Sequence, residues 1–442
     1  MLVVSKFGGS SLSSAQQFKK VKEIVRTDPN RRVVIVSALG KRQASDNKLT
    51  DLFYSVYEHT SQSSYYEALW QEIVARFVAV KEALNLSYDV EAELDKVQAG
   101  LAARNLTVDY LVSRGEYLTA RLMSEYLGYD FYDAKDLIIF NQSGEAELEI
   151  CYEKIAEWIP KDALVVIPGF YGADENGEIK LFSRGGSDIT GAIVAAGLKA
   201  DKYENFTDVP GVLMADPRVV KNPLAIPELT YEEMRSMAYM GAEVLHRKSV
   251  YPAKVARIPI HIKNTNEPDA QGTLICDASP EETAELTGFF GKKDYTFLTL
   301  YKNRASSEIG FMRKIFEIFE SYKINIEQSA TGIDDIGILV SSIDVRYCLE
   351  QVLDDLKVKL GVEHVETKEE FSLIVIFGRG LIHKPEFLEA IFGTLSRAGI
   401  ATSLIEQNPR GLNLVIGVAA EDYVLAIQTL YEALVREKEG KR

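Results

Sequence analysis

Cysteine is scarce: Cys151, Cys276 and Cys348 are the only three in 442 residues, far apart and odd in number. With no CxxC pair and no even set to staple, the chain has neither a zinc framework nor a disulfide one, and a reducing cytoplasm is the expected setting. Long apolar runs are missing too. No stretch approaches the ~18 residues of a membrane-spanning helix, and the apolar start Leu2-Val3-Val4 meets Lys6 too early for a signal peptide. Positive charge is in deficit, with 50 Lys and Arg against 65 Asp and Glu, a net charge of −15 and a pI of 5.0. Nucleic acid and anionic membrane are thereby excluded as main partners, since both demand cations spread along a surface. A small anion is still admissible where backbone N–H groups and a few cations override the mean field.

What remains is ordinary globular usage, 46% hydrophobic and 26% charged with 30 Gly and 13 Pro. The length suits roughly three domains at about 150 residues each. Over roughly the first 290 residues, short β-branched runs alternate with amphipathic stretches, the pattern of an α/β sheet covered by helices. Val33–Val36, Leu137–Phe140, Leu164–Ile167 and Ile258–Ile262 read as strands. Phe18, Val21 and Val25, then Leu118 and Leu122, then Ile189, Ile193 and Ala196 keep helical spacing. Asp174-Glu175-Asn176-Gly177 reads as a hairpin turn. Tyr65 to Arg104 reads as helical, with Leu69, Ile73, Phe77 and Val80 on one face, and as an insertion or cover without chemistry of its own. The Pro/Gly/Asp-rich stretch Asn266–Thr273, followed by Asp277–Glu282, reads as a boundary.

Behind that boundary the chain repeats itself at an offset of 76 residues, Phe311 to Phe387. Ile315 then matches Ile391, Phe316 Phe392, Phe319 Leu395, Ile324 Ile400, Ile338 Leu414, Val340 Ile416 and Tyr347 Tyr423. Each copy reads strand, helix, two strands and a helix, the ferredoxin-like plan. Two such units behind an α/β domain resemble paired ACT domains, which bind small amino acids; a bare dimerisation module is the equal alternative.

Four segments carry chemistry. Val3–Phe7 with Gly8, Gly9, Ser10 and Ser11 joins an apolar run to a helix whose first turns hold Gln16, Gln17 and Phe18. Two glycines admit an anion without a Cβ clash, and the helix start offers free N–H groups and the positive dipole end. Lys6 adds a charge able to bridge transferring phosphoryl oxygens. The spacing is not that of a P-loop, and the plain alternative is a Gly-rich turn with an N-cap. A second Gly pair opens a helix in Ser183-Arg184-Gly185-Gly186-Ser187-Asp188. Arg184 offers a planar fork for a carboxylate, and Asp188 an acceptor that orients Lys6 or a metal. Otherwise Ser187 is an N-cap and Asp188 complements the dipole. Two such starts, each beside a cation, favour a nucleotide with an anionic acceptor. Thr207 and Asp208 stand at a strand end before Pro210-Gly211, where open α/β sheets hold ligands, or form only an Asx-type loop. Glu116, in Ser113-Arg114-Gly115-Glu116, is expected at a helix start, pairing with a substrate ammonium or simply facing the dipole.

In this order, and followed by twin ACT-like units, these segments resemble the monofunctional aspartokinases over nearly the whole chain. The resemblance implies a three-layer α/β/α amino-acid-kinase domain over 1–290 and ACT domains over 291–367 and 368–442. It implies transfer of a phosphoryl group from ATP to the β-carboxylate of L-aspartate, the committed step toward lysine, threonine and methionine. Lys6 would stabilise the transferring group, positioned by Asp188, while Gly8, Gly9 and Ser10 cradle phosphate. Arg184 would hold the substrate α-carboxylate, Glu116 its ammonium, and Thr50 and Ser187 further hydrogen bonds. Thr207, Asp208 and Arg218 would line the nucleotide, with Mg²⁺ on its phosphates and no dedicated protein cage. The carboxylate nucleophile is already ionised near neutral pH, so no general base is required. Leu213 stands where many aspartokinases have tyrosine, and Glu243 where a lysine often follows Gly-Ala; His246 is expected to pack or cap. The resemblance further implies a homodimer through the ACT units, or a tetramer, with an effector bound at Glu308, Gly310, Phe311, Met312, Asn325, Ile326 and Glu327. Phe311 and Met312 are otherwise helix-start core. Glu327 favours lysine over threonine as that effector. Glutamate or acetylglutamate kinases of the same fold, and a silent amino-acid sensor, are the alternatives.

Overall fold

The computed structural model describes residues 1–59, 64–183, 185–241, 245, 247–277, 286–379, 384–408 and 411–436. The chain forms two compact units, Met1–Leu213 with Ala225–Pro280, and Met214–Leu224 with Glu281–Arg442.

The first unit contains β1 (Val3–Phe7), β2 (Arg31–Val36), β3 (Asp130–Phe131), β4 (Ile139–Phe140), β5 (Val165–Pro168), β6 (Tyr171–Asp174), β7 (Ile179–Leu181), β8 (Lys202–Thr207), β9 (Glu228–Thr230), β10 (Ile260–Asn264) and β11 (Thr273–Cys276). Eight of them make one sheet in the order β3-β5-β2-β1-β8-β10-β11-β9. Its pairs are parallel except β10 with β11. Every residue of β1 is buried, as expected of a central strand with helices on both faces. One face is covered by helices Ala15–Thr27, Leu49–Glu58, Ser64–Leu84, Val90–Ala102 and Val108–Leu127, whose apolar sides share a single core. Helix Gly186–Gly197 packs on β1, β2 and β8, with helices Leu148–Trp158 and Arg247–Ala256 beside it. The small sheet β4-β6-β7 holds the expected hairpin turn at Asp174–Gly177.

Three readings of this unit change. Leu137 closes a helical turn, Ala134–Leu137, because Asp133 caps that turn through the Lys135 N–H, so the strand is only Ile139–Phe140. The stretch Tyr65–Arg104 is two helices, broken where Asn85 takes a left-handed φ of 52° and Asp89 caps the second. Leu69, Ile73, Phe77 and Val80 are buried in the main core, so these helices are integral to it. Asn266–Thr273 holds the turn joining β10 and β11 within this unit, with Gly272 at φ 68°.

The second unit contains β12 (Gly288–Tyr301), β13 (Ile326–Thr331), β14 (Asp335–Ser341), β15 (His364–Phe377), β16 (Leu404–Gln407) and β17 (Asn413–Ala419), in the order β13-β14-β12-β15-β17-β16. β12 and β15 run 14 residues each, antiparallel along nearly their whole length. Residues 295–301 of β12 pair with β14, whereas 288–292 pair only with β15. Residues 371–377 of β15 likewise pair with β17. Each long strand therefore completes both ferredoxin-like halves, and positions 291 and 368 fall inside continuous strands. Two cores result, one around Leu298, Phe311, Ile315 and Leu356, the other around Phe289, Ile391, Ile416 and Leu430. The second core also takes Ala215 and Val220 from Met214–Leu224.

The repeat is visible as matched burial at Phe311 and Phe387, Ile315 and Ile391, Ile324 and Ile400, and Val340 and Ile416. Tyr423 opens a helix and is buried, whereas Tyr347 lies in the turn between Ser342–Val345 and Leu349–Leu360 and is 87% exposed. Ile315→Ala and Ile391→Ala should each cost about 2–5 kcal/mol in denaturant titration. Tyr347→Ala should stay within about 0.5 kcal/mol; a large loss there would contradict the exposed placement.

Candidate active site

Strand alternation sets the chemistry of the sheet end. Lys6 on β1 lies opposite Asn205 on β8, and both side chains reach Asp188 in the first turn of helix Gly186–Gly197. Lys6 Nζ sits 2.7 Å from Asp188 Oδ1 and 3.4 Å from Asn205 Oδ1. Asn205 Nδ2 donates to the same Asp188 oxygen at 2.9 Å. The neighbouring positions face the other way: Glu204 pairs with Arg31 at 2.7 Å and accepts from Ser5 Oγ at 3.3 Å. Lys6 is buried, and its charge is matched by one carboxylate and one amide oxygen. The chain leaves β1 at Gly8, whose N–H donates to Phe206 O, and forms a tight turn over Gly9–Leu12 before the helix that Ser14 caps.

Beside this cluster a cavity of about 620 Å³ is lined by Gly9, Ser10, Thr50, Glu116 and Asp208, together with Lys41 and Lys48. Five of the residues singled out from sequence, drawn from four separate segments, therefore meet at one cavity. Glu116 differs from expectation in its position. Thr107 caps helix Val108–Leu127, which puts Glu116 in the helix interior and buried, so it does not complement the helix dipole. Burial pushes its carboxyl up to about 8, against hydrogen bonds from the N–H groups of Ala38 and Glu116 itself. Its Oε2 is buried without a hydrogen-bond partner. An unmatched carboxylate oxygen at a cavity wall is an attachment point for a cation.

The loop carrying Lys41 and Lys48 is folded on itself and pinned. Asp46 accepts from the Arg42 N–H and Nε, both at 2.9 Å. Arg76, 3% exposed in the helix read as a cover, donates to Asn47 O at 2.9 Å and lies 3.9 Å from Asp46. The Arg42 guanidinium holds the Asp46 carboxyl well below the usual carboxylate range. Gly40 passes so close to Gly9 that a Cβ there would stand 2.2 Å from Gly9 O, so this crossing requires glycine.

Other residues fall elsewhere. Ser187 is buried against Gly169, where a Cβ would stand 2.7 Å from the Ser187 Cα. Thr207 donates to Asp208 at 3.2 Å. Arg218 belongs to the second unit, bound to Asp216 at 2.7 Å. Arg184, Glu243 and His246 lie outside the described residues. In the second unit, Asn325, Ile326 and Glu327 line a cavity of about 800 Å³ with Glu320, Lys323 and Glu406. Glu308, Gly310, Phe311 and Met312 are not among its walls. Glu308 is held by Lys302 and Lys314, each at 2.6 Å, which pull its carboxyl down, and buried Phe311 lies 4.4 Å beneath the Lys302 ammonium. Asn205, Lys41, Lys48 and Arg76 were missed as functional candidates. Alternation along β8 could have marked Asn205 as sharing the Lys6 face.

Because the folded-state Glu116 carboxyl titrates above free glutamate, near 4.3, its contribution to folding is fully present below that value and lost as pH rises through about 8. Ligand-free Glu116→Gln should therefore gain stability over the parent between pH 5 and pH 9, by up to about 1.4 kcal/mol per pH decade. Chemical denaturation at both pH values checks this, and an unchanged difference would contradict it.

Residues 1–264 match the amino acid kinase family and residues 374–434 an ACT domain. Aspartokinase 3 of Bacillus subtilis is 33% identical over 97% of this chain and 98% of its own length. The crystal structure of Clostridium acetobutylicum aspartate kinase is 37% identical, covers 98% of this chain and 99% of its own, and superposes with a TM-score of 0.86. Escherichia coli aspartokinase III, with aspartate and ADP in its R-state, is 26% identical with a TM-score of 0.78 and coverage of 98% and 100%. Its T-state with lysine and aspartate is 27% identical with a TM-score of 0.74 and coverage of 98% and 99%. The family match over residues 1–264 and the 33% identity over 97% of the chain place the chain in the amino acid kinase family, among its aspartokinases.

Proposed function

We propose that the chain phosphorylates the β-carboxylate of L-aspartate with ATP in its first unit, and that an amino acid, lysine ahead of threonine, regulates it through the second. The observation that carries the catalytic reading is the buried Lys6–Asp188–Asn205 cluster beside a cavity walled by the unmatched Glu116. Phosphoryl transfer needs positioning and charge stabilisation more than covalent chemistry. Lys6, fixed by Asp188 and Asn205, supplies a preorganised positive charge to the transferring group. Gly9 and Ser10 offer backbone N–H groups to phosphate, next to Gly8, whose own N–H is taken by Phe206 O. Glu116 receives the substrate ammonium, Arg184 its α-carboxylate, and Thr50 and Ser187 hydrogen bonds. Thr207 and Asp208 serve the nucleotide. Mg²⁺ would neutralise ATP phosphates when bound, with Asp208 at the cavity as the carboxylate placed to meet it.

The catalytic assignment falls on the first unit and the regulatory one on the second, whose halves share β12 and β15, with a homodimer formed through the second unit. Glu320, Glu327 and Glu406 around its cavity favour an effector with a second ammonium, which is the support for lysine.

Purified protein with Mg²⁺, ATP and L-aspartate should yield an acyl phosphate trapped by hydroxylamine, reduced by L-lysine. Product with glutamate but not aspartate would move the substrate, and no product with any acid would leave an amino-acid sensor. Lys6→Ala should lower kcat by about 10²-fold or more, and unchanged turnover would remove Lys6 from the mechanism. Since a substrate ammonium pairs with ionised Glu116, whose free carboxyl titrates at about 8, the KM for aspartate should fall as pH rises from 6 to 8 and then level. Calorimetry in buffers of different ionisation enthalpy should show proton release on aspartate binding at pH 7; no release would place the ammonium elsewhere.

A further inference from the structure

A second cavity in the first unit, about 390 Å³, is walled by Arg114, Tyr110, Tyr117, Asp133, Lys135 and Glu93. Arg114 is 7% exposed, with its guanidinium 4.3 Å from the ring centres of both Tyr110 and Tyr117. Its Nε donates to Tyr110 O and Ser113 Oγ at 3.3 Å, and its Nη2 to Ser113 Oγ at 2.9 Å. Among the described residues, Nη1 has no acceptor and no carboxylate lies within ion-pair distance of the guanidinium. A charge this buried is normally paired, and its planar fork is made for a carboxylate. Nothing in the kinase reading uses it.

The other walls narrow the class of ligand. Asp133 accepts from the hydroxyl of buried Tyr171 at 2.8 Å, and the Tyr171 ring lies 5.8 Å from the Arg114 guanidinium, so one tyrosine packs between cation and anion. Glu93 is already paired with Lys96 at 2.7 Å and Glu178 lies 3.8 Å from Lys180, which leaves Asp133 as the wall carboxylate without an ion pair among the described residues. A zwitterion satisfies both Arg114 and Asp133, its carboxylate on the guanidinium and its ammonium toward Asp133, with Leu106 and Ile179 on the wall for an uncharged side chain. We propose that this cavity binds a free α-amino acid with an uncharged side chain, at a site separate from the kinase cavity and from the cavity around Glu327.

Saturation-transfer NMR of the full chain with L-alanine, L-valine, L-methionine or L-threonine, and separately with acetate or inorganic phosphate, tests this. At least one amino acid should bind saturably, with Kd raised about tenfold or more by Arg114→Gln, raised also by Lys135→Glu, and unaltered by Glu116→Gln. Amino-acid binding indifferent to Arg114→Gln and Lys135→Glu would overturn the site, as would no binding at all. Phosphate bound in preference, and lost in the same variants, would overturn the zwitterion. If Arg114→Gln fails to fold, Lys135→Glu and Glu178→Gln at the exposed rim decide the question in the same way.

Discussion

The structure of the first unit hangs on a buried ion pair. Removing an ammonium and a carboxylate from water costs several kcal/mol per ion, and their attraction repays it only when geometry is tight and the remaining polar atoms are matched. The 2.7 Å contact between Lys6 and Asp188, with Asn205 bridging to both, meets that condition. It holds only if β1 and β8 stay in the register that sets Lys6 against Asn205, since a one-residue slip would turn Asn205 to the opposite face. It also requires helix Gly186–Gly197 to begin where it does. Gly185 supplies the left-handed residue before that helix, φ 61°, and a Cβ on Gly186 would stand 2.6 Å from the Phe170 ring. The second Gly pair therefore places Asp188, whatever else it does for an anion. On the opposite face Glu204 and Arg31 tie β8 to β2 across β1, so both faces of the central strands are locked by charge.

Lys6 and Glu116 show two ways of treating a buried charge. Lys6 arrives with its partners, so its position is fixed before any ligand comes. Glu116 arrives with one oxygen unmatched, and its neutral form is favoured until a cation enters. In the proposed reaction the first supplies preorganised electrostatics for a developing charge, and the second selects a ligand that brings a cation. The loop of Lys41 and Lys48 completes the cavity, and its shape depends on Arg76 from a helix that carries no recognisable motif. A functional cavity is thus supported by residues chosen for burial and charge rather than for contact with ligand.

That division explains what could be read from sequence. Gly pairs, a lysine at a strand end and an acid after a Gly-Gly helix start are local signals, and Lys6, Gly9, Ser10, Asp188 and Asp208 stand where local signals put them. Glu116 was recognised as a residue but not as an environment, because the cap that begins its helix, Thr107, lies nine residues earlier and its burial depends on Ala38 and neighbouring elements. Asn205 and Arg76 were invisible because their roles are tertiary. The repeat was legible because paired apolar positions face equivalent cores, and it failed at Tyr347, where a turn replaces the start of a helix. Strand ends were least legible: β12 begins at Gly288 because pairing with β15, not local preference, extends it.

The shared strands constrain how the second unit responds to a ligand. A module made of two separate ferredoxin-like domains could answer by rotating one against the other. Here β12 and β15 each belong to both halves, so such a rotation would break ladder hydrogen bonds along fourteen-residue strands. A ligand shifts an equilibrium only by its differential affinity for two states, and a stiff body offers few internal ones. The accessible differences lie at its edges. One edge is β13, which carries the Glu327 cavity at its start. Another is Met214–Leu224, where the chain leaves the first unit after Leu213 and returns at Ala225, two residues bridged to each other. That excursion is anchored in the second core by Ala215 and Val220, by the Leu224 N–H to Tyr431 Oη at 2.8 Å, and by Gln428 to Val219 O at 2.8 Å. Its covalent ends continue directly into the turn after Asp208 and into β9. From β13 to the strands on which this excursion packs the sheet is continuous, so the second unit has no hinge between its halves at which a change could be absorbed.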